Sequence, residues 1–275
     1  MLLPGFKMLC FPLFALAVIT CHGQTETVFT IKKNQRYNDL HEMQLKGKVK
    51  AITVYSCDLT SRLPDQKDSV SHKYVISFNK EGNITTVLDT DNTETDAARR
   101  ESRMLFKYNN TGNQVEVLSY RKGKYAGKYL RTYNEKHRLT REMSYDMNGA
   151  IQSGEVCTYD SLGNAICNWA PAHDGDGGAE ARSKDKSLIR YNDLGNEIVR
   201  TPYNSTGKFE HKDSIVYNGM GQRSETLASD TSQYKYVGKG KCIYGGYDEN
   251  GNWTKRTQYS FDIPIFIEEQ KLEYY

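Results

Sequence analysis

The chain has 275 residues, room for one large or two ordinary β domains. It is polar, with 26% charged and 37% hydrophobic residues and a mean hydropathy of −0.72, yet 11% aromatic content excludes a disordered chain. A formal net charge of +3, with no basic cluster interleaved with aromatics, leaves no footprint for nucleic acid.

The first element is a targeting segment. Lys7 precedes an apolar run from Met8 to Thr20, after which polarity rises abruptly. A membrane-spanning helix needs about 20 apolar residues and a signal-peptide core about 7–15, so residues 1–23 read as a signal peptide, with the mature chain starting at Gln24. Val18-Ile19-Thr20-Cys21 offers an alternative, a lipoprotein processing site with a lipid anchor on Cys21. No later segment is long and apolar enough to span as a helix. Asn38 to Lys46 is the one stretch that allows a short helix.

From there a turn repeats. Phe78-Asn79-x-x-Gly82-Asn83 is followed by Tyr108-Asn109-x-x-Gly112, Tyr145-Asp146-x-x-Gly149, Tyr159-Asp160-x-x-Gly163 and Tyr191-Asn192-x-x-Gly195. Tyr203-Asn204-x-x-Gly207, Tyr217-Asn218-x-x-Gly221 and Tyr247-Asp248-x-x-Gly251 continue it, and degenerate copies begin at Tyr120 and Tyr133. Asp or Asn folds its side chain onto the backbone two residues on and opens a type I turn. Glycine three positions later takes the left-handed conformation that closes a three-residue hairpin loop. Tyr191 to Tyr203 is 12 residues and Tyr203 to Tyr217 is 14, which leaves one ordinary strand between turns.

The expected fold is therefore all-β: an antiparallel meander of hairpins over residues 24–275, forming one continuous curved or rolled sheet. Tyr133, Tyr145 and Tyr159 recur 58 residues later as Tyr191, Tyr203 and Tyr217, so a small four-bladed propeller is the alternative. Polar inserts run from Asp89 to Arg100, Pro171 to Lys186 and Ser224 to Ser232. Alternation of apolar and polar residues is impure, as expected where a sheet lines a wet interior or has two wet faces.

The Tyr-Asp-x-x-Gly-Asn turns resemble YD repeats, the hairpin units of Rhs-type proteins, teneurins and insecticidal toxin shells. With the opening strand Leu45 to Ile52 and the endings Gly251-Asn252-Trp253 and Leu272-Glu273-Tyr274-Tyr275, the chain is similar to short secreted, Rhs-like YD-repeat proteins of the Bacteroidota. The resemblance covers Leu45 to Tyr275. It implies an exported β protein that is periplasmic, outer-membrane-associated or extracellular, too short to enclose a toxin, with no activity to transfer.

Motifs for catalysis are missing. His41, His72, His137, His173 and His211 stand far apart, none with a second His or Cys at ligand spacing, and neither His-Glu-x-x-His nor Gly-x-Ser-x-Gly occurs. A non-enzyme is expected, without a cofactor. His173 to Glu180 is the candidate calcium loop, with Asp174, Asp176 and Glu180 as oxygen ligands, though glycine and aspartate also make plain turns. Asp89, Asp91, Glu94 and Asp96 form a second acidic group. Trp169, Trp253 and Tyr247 are candidates for stacking on sugar rings, against the reading that they are cross-strand aromatic pairs. Two functions follow: a binding or adhesion module for a glycan or envelope partner, or a structural protein that self-associates or scaffolds through a sheet edge near Ile265 to Tyr275.

Cysteine pairing follows from the turn. With Ser161, Leu162 and Gly163 as the loop, Asp160 faces Asn164, and stepping outward Cys157 faces Cys167 in a non-hydrogen-bonded pair, where α-carbons lie about 4.5 Å apart. A Cys157–Cys167 disulfide is expected, against two free thiols that happen to flank one turn, and Cys57 and Cys242 have no assigned partner.

Overall fold

The computed structural model describes residues 43–60, 70–94, 101–171, 185–229 and 238–275. They form sixteen strands: β1 Val49–Asp58, β2 His72–Phe78, β3 Ile84–Asp91, β4 Glu101–Tyr108, β5 Gln114–Arg121, β6 Lys124–Tyr133, β7 Leu139–Asp146 and β8 Ile151–Tyr159. The second half holds β9 Ala165–Pro171, β10 Lys186–Tyr191, β11 Glu197–Tyr203, β12 Lys212–Tyr217, β13 Arg223–Ser229, β14 Gly238–Tyr247, β15 Trp253–Ser260 and β16 Ile263–Tyr274. Each strand pairs antiparallel with its neighbours in the chain, and β1 pairs with β16. The sheet is a closed barrel, neither the expected open rolled sheet nor a propeller. The hairpin signals are local, whereas closure rests on a ladder joining Ile52 to Leu272 and Val54 to Gln270, residues too distant in sequence for any turn motif to report. Closure also removes the expected free edge, since β16 is hydrogen-bonded to both β15 and β1.

The repeated turns have the geometry their residues demand. In the β8–β9 turn, the Asp160 amide donates to the Asn164 carbonyl at 3.0 Å, the Gly163 amide to the Asp160 carbonyl at 3.0 Å, and the Asn164 amide to Asp160 Oδ1 at 2.8 Å. Gly163 sits at φ +86°, where a β-carbon is strained. The degenerate copy after Tyr133 puts His137 in that conformation at φ +58°. The copy after Tyr120 is a tighter turn, with Lys122 and Gly123 at φ +55° and +69°. Over 38–46, residues 38–42 lie outside the described set, and Met43 to Lys46 is not helical.

Because strands alternate in direction, five-residue turns of this type at 79–83, 109–113, 134–138, 160–164, 192–196, 218–222 and 248–252 all close the same end, the turn end. Connections of unequal length lie at the other, the loop end. Tyrosines that finish ascending strands tie successive turns together. Tyr133 Oη donates to Gln114 O at 2.7 Å, Tyr159 to Leu139 O at 2.7 Å and Tyr217 to Glu197 O at 2.8 Å. Phenylalanine fills space there equally well but cannot make that bond.

Alternation sorts the wall. Inward positions include the buried Ile52, Val54, Ile76, Met104, Phe106 and Val117, one apolar cluster, and Leu139, Cys157, Cys167 and Ile189, a second. Charged residues share the same inward face: Glu142, Arg256 and Glu268 are buried. Outward positions carry exposed Arg103, Arg141, Lys255, Glu269 and Lys271 within the strands. Each Lys or Arg facing lipid at the bilayer midplane would cost roughly 2–4 kcal/mol. No helix among the described residues is long and apolar enough to cross a membrane.

The chain enters across the turn end. Met43 and Leu45 pack on the first apolar cluster, and Gln44 Nε2 donates to Gly221 O. Lys46 N donates to Asn252 Oδ1 at 2.7 Å while Asn252 Nδ2 donates to Lys46 O at 3.0 Å. This strap is thus tied to the β12–β13 and β14–β15 turns.

Candidate functional site

The site is built outward from the β8–β9 turn. Cys157 and Cys167 are register partners and are disulfide-bonded, with α-carbons 4.0 Å apart. Cys57 faces outward on β1 and Cys242 inward on β14, so they are not a pair. One inward step further toward the loop end, Glu155 stands opposite Trp169. Trp169 holds an inward position near the loop end of β9 and is 37% exposed.

Charges gather around this pair. Glu142 is the register partner of Glu155 on β7, and Arg131 of Glu142 on β6, with Arg131 Nε 2.5 Å from Glu142 Oε2. Glu197 and Arg200 form a two-pronged ion pair, each contact 2.9 Å. Burial pushes the Glu155 carboxyl up from its ordinary value against the pull of Arg200, with Glu142 and Glu197 pushing the same way as burial. Burial raises Glu142 as well, opposed by Arg131. A desolvated carboxylate beside an open indole offers hydrogen-bond acceptance next to a stacking face.

A second inward cluster lies near the loop end. His72 Nδ1 is 3.7 Å from Asp89 Oδ1 and its Nε2 is 3.8 Å from Asp91 Oδ1, and the ring stacks on Tyr74 at 5.8 Å. Its interaction with Asp89 raises the imidazole above its ordinary value, burial opposing. Asp89 and Asp91 thus belong to β3 rather than to a loop.

The three aromatic candidates do not form one site. Trp253 and Tyr247 are register partners near the turn end, several strands from Trp169. Trp253 is buried, edge-on to Tyr244 at 6.0 Å and with the Arg256 guanidinium 4.8 Å over its ring, so its faces are taken. Tyr247 is exposed and its hydroxyl donates to Gln222 Oε1 at 3.4 Å. The candidate calcium ligands Asp174, Asp176 and Glu180 lie outside the described residues. Among the described residues, Glu155 with the two cysteine sulfurs is the one group close enough to share a metal ion. Bonded to each other, those sulfurs are not thiolates and supply no such ligands.

The geometry defines a class, a closed 16-stranded up-and-down barrel whose inward face mixes apolar clusters with buried charges. No protein-family model matches the chain, and no curated protein matches it. The YD-repeat resemblance therefore stands on the turns themselves. Among solved structures, a porin-like protein from Bacteroides uniformis is similar, with a TM-score of 0.50 at 11% identity, over 83% of this chain and 98% of that one. That likeness is one of fold. A TcdB2-TccC3-TEV structure also aligns, with a TM-score of 0.31 at 12% identity, over 74% of this chain and 12% of that one.

Proposed function

We propose that this is a non-catalytic, exported protein of the cell envelope that holds a small polar ligand, a sugar in particular, in the lumen of its barrel. The apolar run Met8 to Thr20 behind Lys7 and the likeness to a protein described as porin-like support an envelope setting. The observation that carries the ligand reading is Trp169, an open indole on an inward position opposite the desolvated Glu155. The exposed charges on the outer wall favour a water-facing barrel over a membrane pore.

The test is a glycan array followed by titration calorimetry with the purified exported protein. Trp169→Ala is expected to weaken binding of the selected sugar at least about tenfold, the loss of one stacking contact of roughly 1–3 kcal/mol. Failure of the protein to bind any sugar, or undiminished binding by that variant, overturns the reading. Glu155→Gln supplies a second readout. Because burial raises this carboxyl, the folded state is penalised once Glu155 ionises. The variant should melt higher than the parent at pH 7, with the gap closing as pH falls to 4, while ligand affinity drops.

A further inference from the structure

We propose that the ligand held beside Trp169 is a cation, a sugar carrying a free amine, with its ammonium over the indole between the carboxylates of Glu155 and Asp185. The inference rests on the sugar-holding reading above and adds the charge of the sugar to it. Neighbouring strands set inward side chains in one row across the barrel wall. Arg131 on β6 is the register partner of Glu142 on β7, Glu142 of Glu155 on β8, and Glu155 of Trp169 on β9. The row continues to Asp185, whose carbonyl accepts from the Trp169 amide at 3.1 Å, one step past the Lys186–Asn168 pair. Asp185 therefore stands opposite Trp169 on the side away from Glu155. Alternation from Ser187, the partner of the inward Cys167, turns the Asp185 side chain inward as well. Opposed residues hold their β-carbons about 4.5–5.5 Å apart, so both carboxylates reach a group seated on the indole.

The arginines of this region are already committed. Arg131 is paired with Glu142, and Arg200 holds both carboxylate oxygens of Glu197. Neither the Glu155 nor the Asp185 carboxylate has a hydrogen bond or ion pair among the described residues. Two such groups flank a ring whose face itself attracts a cation within about 6 Å of its centroid. An anionic sugar is repelled there, and a neutral one leaves the acidic groups without a counter-charge. Burial already raises the Glu155 carboxyl, with Glu142 and Glu197 adding to the rise, and a bound cation relieves that cost. Elsewhere in the barrel the chain satisfies the same arrangement itself: the Arg256 guanidinium lies over the Trp253 ring and is paired with Glu268. Trp169, 37% exposed, is left for a cation from outside the chain.

The test is titration calorimetry of the purified exported protein with glucosamine, galactosamine and mannosamine, each beside its N-acetyl form, in a buffer that keeps the amine protonated. The parent should bind at least one amine about tenfold or more tighter than the matching acetamide, the size of one desolvated cation–π contact with its counter-charge. Glu155→Gln/Asp185→Asn should bring the two affinities together, and Asp185→Asn alone should narrow the gap several-fold. A parent that binds the acetamide as tightly as the amine overturns the proposal and leaves the sugar reading standing. A parent that binds neither form also overturns it, and the glycan array then decides whether the sugar reading falls with it. A gap that persists unchanged in both variants overturns the assignment to these two carboxylates.

Discussion

Glu268→Leu should lower stability by roughly 3–5 kcal/mol, because it strips a buried arginine of its counter-charge. Glu268 is inward on β16 and accepts from Arg256 Nε and, at 2.8 Å, from Gln258 Nε2. Arg256 is 4% exposed, with its guanidinium over Trp253. Leucine fills the volume of the glutamate but leaves that cation desolvated. The expected fall in melting temperature is on the order of 10 °C for a chain of this size. Removing both charges in Arg256→Met/Glu268→Leu should restore most of the loss, since a buried pair contributes little beyond an apolar one of the same shape. Urea unfolding of the parent and both variants decides it. A double variant as unstable as the single one contradicts the pairing.

Gly127→Ala should cost about 3 kcal/mol, at the upper end for overpacking. Gly127 lies on β6 at φ +152°, and a β-carbon there stands 2.3 Å from the Tyr145 carbonyl oxygen. Backbone cannot step aside as a flexible side chain does, so the β6–β7 ladder around Gly127 and Asp146 must part. Gly149→Ala is the matched control, left-handed at φ +85° but facing open space, and should cost only the conformational penalty of roughly 1 kcal/mol. Equal denaturation midpoints for the two variants rule out the close approach.

Turns were legible because their chemistry is local. Asp160, Gly163 and Asn164 state the loop, and that loop places Cys157 opposite Cys167 by counting alone. Glu155 opposite Trp169 lies two positions further along the same ladder, so the site's central pair is also written in the sequence, though only the structure shows which face is the lumen. Closure was not legible. Nothing local in Val49 to Asp58 says that these residues pair with Phe266 to Tyr274, and an open meander satisfies every turn equally well. The charged groups that come together inside, Arg131 with Glu142 and Arg200 with Glu197, looked like impurities in the alternation. A closed wall explains them, because inward charges meet and pair across its inner face. Trp253 was misleading for a related reason: a tryptophan beside a turn reads as exposed until Arg256 and Tyr244 are seen against it.

The closed barrel is tested most directly at the seam between β1 and β16. Cys57 and Ile267 are outward-facing register partners there, about 5.5 Å apart between α-carbons, a spacing a disulfide accepts. In Ile267→Cys, non-reducing peptide mapping of the oxidised protein should recover a bond between Cys57 and the new cysteine, formed within one chain and beside an intact Cys157–Cys167 bridge. An open sheet holds these two strands at opposite edges. Full recovery of both thiols unpaired in the folded variant contradicts the barrel.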